Sequence, residues 1–198
     1  DPLDFRLKHL KDPRAIAVLK AAAETYGWES RPAGSKRGPS GKPAHGRGIA
    51  WVNRDDSRVA TIADVTVDPA SGKIKVSRVV VAHDCGLVVN PDGLRNQIEG
   101  NVIQSLSRTL HEEVTFDRSH VTSRDWMGYP ILRFDEIPDR IDIVLVNNTP
   151  QYPSHGGGEP STCPTAAVIS NAVFDATGAR LRQLPFRPDR VKAAISQA

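Results

Sequence analysis

The chain has 198 residues, 39% of them hydrophobic, and a formal net charge of +3. That length supports one compact core or two small lobes. The positive excess is gathered in one stretch, aromatics make up 6%, and no nucleic-acid-binding motif is present, which argues against a nucleic-acid surface; no apolar run reaches the length of a membrane span.

Residues 1–29 read as an N-terminal helical segment. The opening DPLDFRLKHL alternates charged and apolar residues, unlike a secretory leader. DPRAIAVLKAAAETYGW predicts a helix: Asp12 caps it, Pro13 fits the first turn, Ile16, Leu19, Ala23 and Tyr26 repeat every three or four, and Gly27 ends it. Residues 30–46 are a basic loop rich in Gly and Pro. Its composition reads as a solvated linker, with phosphate binding by Lys36, Arg37 or Lys42 as the alternative.

Residues 47–198 read as an α+β domain with a mainly antiparallel sheet and two long apolar helices. GIAWVN predicts a strand. RVATIADVTVD alternates, with Val59, Thr61, Ala63, Val65 and Val67 on one face, and DPASGK turns it into KIKVSRVVVAHD. The unbroken Val79, Val80, Val81, Ala82 predicts burial on both faces. A long helix follows, capped by Asn90 and Pro91, with Leu94, Ile98, Val102, Leu106 and Leu110 every four residues. EVTFD, IDIVLVNN and LRQLPF read as further strands, the segment before IDIVLVNN as irregular. PTAAVISNAVFDATG reads as a second buried helix that begins near Thr162 and stops at Gly178, and DRVKAAISQA as a terminal helix.

Chemistry concentrates at SHGGGEPSTCP. Gly156, Gly157 and Gly158 run into Glu159, just before a predicted helix N-terminus. Helix N-termini present free N–H groups and partial positive charge, and flexible glycines let a ligand approach them. The residues alone leave two readings open: an anion-binding loop, or a glycine-rich turn whose carboxylate favours the helix dipole. Gln97 and Glu99 read alone as solvated helix positions, whereas Gly100, costly inside a helix, suggests a close backbone approach. Asp84, Cys85 and Gly86 fall where a buried strand ends, a frequent site position; Cys85 reads foremost as a small buried hydrophobe. Cys85 and Cys163 make no metal or iron–sulfur spacing, and the six histidines show no HExxH arrangement, with His155 beside the glycines the one of interest.

In order, DPLDFRLKHLKDPRAIAVLKAAAETYGW, RGIAW, AHDCGLVVNPDGLRNQIEGNVIQSL and HGGGEPSTCPTAAVISNAVFDATGARLRQLP resemble the C-terminal part of the large, molybdopterin-binding subunit of the xanthine oxidase family of molybdenum hydroxylases, above all its isoquinoline 1-oxidoreductase beta-subunit and aldehyde dehydrogenase group. The resemblance implies a molybdenum–pterin cofactor, as molybdopterin cytosine dinucleotide, whose metal the protein does not ligate. It implies that Glu159 is the general base, buried beside an anionic cofactor, in hydroxylation of an aldehyde or N-heterocycle with water as oxygen source. Gln97 would contact the pterin, and Gly156, Gly157, Gly158 and the N–H groups around Ser161 and Thr162 would receive the anionic cofactor. Against the family's GGVGEPG pattern, His155 stands in the first glycine place, Gly157 replaces valine and Ser161 replaces the last glycine. Family large subunits are several times longer, so the chain is expected to be a split subunit or a fragment. It would need a chain carrying the remaining large-subunit domains and a small subunit carrying 2Fe–2S clusters. The alternative is a non-catalytic assembly module on the same fold, which the altered glycines favour and the intact Glu159 opposes.

Overall fold

The computed structural model describes residues 1–32 and 42–198; Lys36 and Arg37 lie outside the described residues, and Lys42 is exposed. The N-terminal segment holds two helices. Helix α1 (Pro2–His9) begins where the Asp1 carboxylate accepts from the N–H groups of Leu3 and Asp4, a cap that the sequence reading did not place. Helix α2 (Pro13–Tyr26) has the expected Asp12 cap and ends at Gly27 in the left-handed region, φ 79°. Its buried stripe is Ala15, Val18, Leu19, Ala22 and Ala23, which keeps Leu19 and Ala23 of the expected set and leaves Ile16 and Tyr26 half-buried.

Four strands form one sheet in the order β1 (Ala44–Arg54), β2 (Ser57–Val67), β3 (Ile74–Asp84) and β4 (Arg140–Leu145). The first three are antiparallel, and β4 lies parallel to β3. The parallel return passes through helix α3 (Pro91–Leu110), as parallel pairing requires a crossover. One sheet face packs on α2, joining Val18, Leu19 and Ala22 to Ile49, Ala60, Ile62, Val80 and Ala82. The other carries α3 and helix α4 (Thr165–Thr177), joining Val59, Ala63, Val65, Val79 and Val81 to Leu94, Ile98, Val102, Leu106, Ile169 and Val173. Helices on both faces explain why most of β2 and the run 79–84 of β3 are buried. Helix α5 (Pro188–Ile195) closes the chain. No helix among the described residues is long and apolar enough to cross a membrane.

Three local readings are corrected. EVTFD is not a strand: its one pairing is an isolated bridge between Phe116 and Val121, and Val114 and Phe116 point into solvent. LRQLPF is not a strand either. Pro185 has no N–H to donate, and the Phe186 N–H bonds the Thr109 carbonyl at 2.6 Å, seating Phe186 in the core. The helix expected near Thr162 is divided into a 3₁₀ turn, Pro160–Thr162, and α4, which begins after Pro164.

Candidate active site

The end of β3 anchors the site. Asp84 is fully buried and accepts from Arg14 Nε (2.8 Å) and Nη2 (2.5 Å), Asn147 Nδ2 (2.8 Å) and the Gly86 N–H (3.0 Å). Burial pushes this carboxyl's pKa upward, but Arg14, Asn147 and the Gly86 N–H outweigh it and hold the group below its ordinary range. These bonds tie α2 to the segment after β4. Gly86 then turns at φ 71°, with its backbone pressed against Pro153.

The glycine segment runs alongside. The His155 N–H bonds the Cys85 carbonyl at 2.9 Å, and the Gly156 carbonyl accepts from Ser57 Oγ at 2.7 Å. A Cβ on Gly157 would stand 2.5 Å from Leu94 Cδ1, and one on Gly158 would stand 3.7 Å from Gln97 Nε2. Gly157 is therefore the close approach among the three, and Gly158 brings the loop beside Gln97.

Glu159 opens outward. Its side chain is 70% exposed and accepts from Arg54 Nη2 at 2.6 Å. The expected burial of this carboxylate is thus not found: the loop presents it at a surface cleft. The Glu159 carbonyl accepts from both the N–H (2.9 Å) and the hydroxyl (2.8 Å) of Thr162. The Thr162 N–H is therefore spent closing the turn. Ser161 is fully buried, and its hydroxyl meets His83 Nδ1 at 2.9 Å, away from the cleft.

The cleft has a volume of about 670 Å³ and joins Arg54 from β1, Gln97, Gly100, Asn101, Gln104 and Arg108 from α3, and Gly158, Glu159 and Thr162 from the loop. The α3 residues recur at helix spacing, beside the apolar stripe that enters the core. Among the described residues, nothing outside its own helix lies within 4 Å of a Cβ built on Gly100, whose open flank faces the cleft. Asn101 is buried at 7% exposure, and its Nδ2 has no hydrogen-bond partner among the described residues. Two guanidiniums, three side-chain amides and one hydroxyl face one carboxylate, an arrangement that can hold an acceptor-rich anion. Sequence reasoning missed Arg54, Asn101, Gln104 and Arg108. The α3 members carry a signal in their spacing; Arg54 carries none, since it meets Glu159 across 105 positions.

Among the described residues no three His, Cys, Asp or Glu side chains stand together to hold a metal. Both cysteines are free; Cys85 is buried, which pushes its thiol pKa up, and Cys163 is exposed, 3.7 Å from Arg54 Nη1.

Residues 57–138 match the molybdopterin cofactor-binding domain family. Over 98% of its length the chain is 46% identical to a nicotinate dehydrogenase chain of Pseudomonas putida. Over 95% it is 35% identical to the beta chain of isoquinoline 1-oxidoreductase of Brevundimonas diminuta. It spans 17% and 23% of those two proteins. Among solved structures, quinoline 2-oxidoreductase from Pseudomonas putida 86 superposes with a TM-score of 0.65 at 27% identity, covering 71% of this chain and 19% of that one.

Proposed function

This chain belongs to the xanthine oxidase family of molybdenum hydroxylases, within its molybdopterin-binding subunits, and from that premise we propose that its cleft is part of a hydroxylase active site with Glu159 as general base. The observation that carries the reading is convergence: Gln97 from α3 and Gly158, Glu159 and Thr162 from the loop line one cleft. In the reaction a substrate C–H and water become C–OH, with two protons and two electrons released. The bound molybdenum–pterin group would supply the oxygen-transfer and two-electron chemistry.

This chain's residues hold that group and manage the proton. Gln97 and Asn101 offer donors, and the unhindered backbone of Gly156 and Gly158 offers room, for molybdopterin as its cytosine dinucleotide; Gly157 packs on Leu94, and Thr162 spends its N–H and hydroxyl on the turn. The unpartnered Asn101 Nδ2 supports this fit, because a buried donor costs free energy until it meets an acceptor. Ser161 serves by fixing the turn through His83, not by side-chain contact. Glu159 accepts the proton released as the water-derived oxygen attacks the substrate carbon. The electrons leave toward 2Fe–2S clusters on a partner subunit, and another large-subunit portion completes the walls. The substrate is an aldehyde or an aromatic N-heterocycle. The extent of likeness to the nicotinate and isoquinoline enzymes favours the heterocycle.

The test is Glu159→Gln in the assembled enzyme. Hydroxylation should fall by about 10²–10⁴-fold, the usual contribution of a positioned general base, with molybdenum content unchanged by metal analysis. Turnover at the wild-type rate would overturn the assignment.

A further inference from the structure

We propose that Arg54 is the specificity-determining residue of this site, and that the group it selects is the carboxylate of an aromatic N-heterocyclic acid. The inference rests on the reading of Glu159 as the base. Arg54 is the last residue of β1 and its Nη2 stands 2.6 Å from Glu159 Oε2. A cation in contact with the base stands next to the carbon that the base serves. Its natural ligand is therefore a substituent on the substrate rather than a phosphate at the far end of a cofactor.

The remaining bonds of Arg54 are weak. Nη1 reaches Cys163 Sγ at 3.7 Å, and a thiol is a poor acceptor. Nε pairs with Asp55 at 3.7 Å, and that carboxylate is 89% exposed, so the pair is screened by water. A guanidinium presents its N–H groups as a rigid fork that matches a carboxylate. Exchanging a sulfur and a solvated pair for such a ligand gives up little.

An aldehyde without an anionic substituent offers the fork nothing to grip.

The experiment compares pyridine-3-carboxylate with pyridine-3-carboxamide, which share a ring and differ in charge, as substrates of the assembled enzyme. Wild type should favour the acid in kcat/KM. Arg54→Gln should lower the acid-to-amide ratio by about 10–100-fold, the range of a charged hydrogen bond, chiefly through the KM of the acid. Arg54→Lys, which keeps the charge and loses the fork, should fall between. An unchanged ratio in Arg54→Gln, or a wild type indifferent to charge, overturns the inference while leaving the hydroxylase reading intact. Equilibrium binding of pyridine-3-carboxylate, measured by calorimetry without an electron acceptor, separates the reverse case. Binding that needs Arg54 in an enzyme that turns over neither probe, nor any aldehyde or other N-heterocycle in a substrate panel, upholds the Arg54 assignment and removes the hydroxylase reading. Equal binding by wild type and Arg54→Gln overturns the assignment.

Discussion

The Nδ1 of His83 lies 2.9 Å from the hydroxyl oxygen of Ser161, and both residues are closed off from solvent. The bond joins the end of β3 to the turn that begins at Glu159. Burial lowers the His83 pKa to about 4, against a smaller opposing pull from the Asp84 charge. The unfolded imidazole protonates near 6.5. Stability from neutral His83 is therefore complete above about pH 6.5 and is lost as pH falls toward about 4. In that interval the unfolded chain holds one more proton, a slope of roughly 1.4 kcal/mol per pH unit. Urea titrations at several pH values between 7 and 5 should show wild type weakening with acid and His83→Gln showing a flatter profile. Equal slopes would contradict the assignment.

The Arg14–Asp84 pair should be the costliest polar contact to break. Arg14→Ala leaves Asp84, fully buried, without its main counter-charge. A loss of about 3–5 kcal/mol is expected on removing one partner of such a pair. Arg14→Lys should cost less, since it keeps the charge and forfeits the two-point grip. Chemical denaturation of both variants ranks them.

Helices α2, α3 and α4 were legible because their apolar residues repeat at three and four and their ends carry Asp12, Asn90, Gly27 and Gly178. The core strands were legible by alternation and by the unbroken valines of β3. EVTFD and LRQLPF failed because apolar, β-prone composition says nothing about whether a partner strand is present. The site divides similarly. Glu159 drew notice through its glycine run and took its role, like Gln97, from family resemblance, and Arg108 and Asn101 sit at readable helix spacing. Arg54 and the His83–Ser161 bond depend on tertiary contacts across 105 and 78 positions, which no local pattern records. The burial expected of Glu159 came with the family resemblance and presupposes a cofactor and walls beyond this chain, which spans 17% and 23% of the two relatives; within the chain the side chain is 70% exposed.

Gly48 tests how α4 is seated. A Cβ there would overlap the Val168 carbonyl oxygen and lie 2.7 Å from the Ala172 nitrogen, both backbone atoms of α4. Neither can swing aside as a side chain would. Gly48→Ala must lift the helix from β1, and a loss of about 3 kcal/mol or more is expected, beyond ordinary overpacking. Thermal unfolding of the variant measures it. A fold that tolerates Gly48→Ala without loss would mean that the helix is less closely seated.

Three glycines precede Glu159, and the structure gives them unequal roles. None has a positive φ, so alanine's backbone preference does not oppose substitution. Among the described residues, nothing beyond its chain neighbours lies within 4 Å of a Cβ on Gly156, whereas one on Gly157 meets Leu94 Cδ1 at 2.5 Å. Gly156→Ala should leave stability within about 0.5 kcal/mol of wild type. Gly157→Ala should cost about 1–3 kcal/mol, because Leu94 is buried and must repack. Shortening Leu94 to alanine removes the clash, so the Gly157→Ala, Leu94→Ala double variant should lose less than the sum of the two single losses. Strict additivity in denaturant titrations would place the cost of Gly157→Ala elsewhere than Leu94.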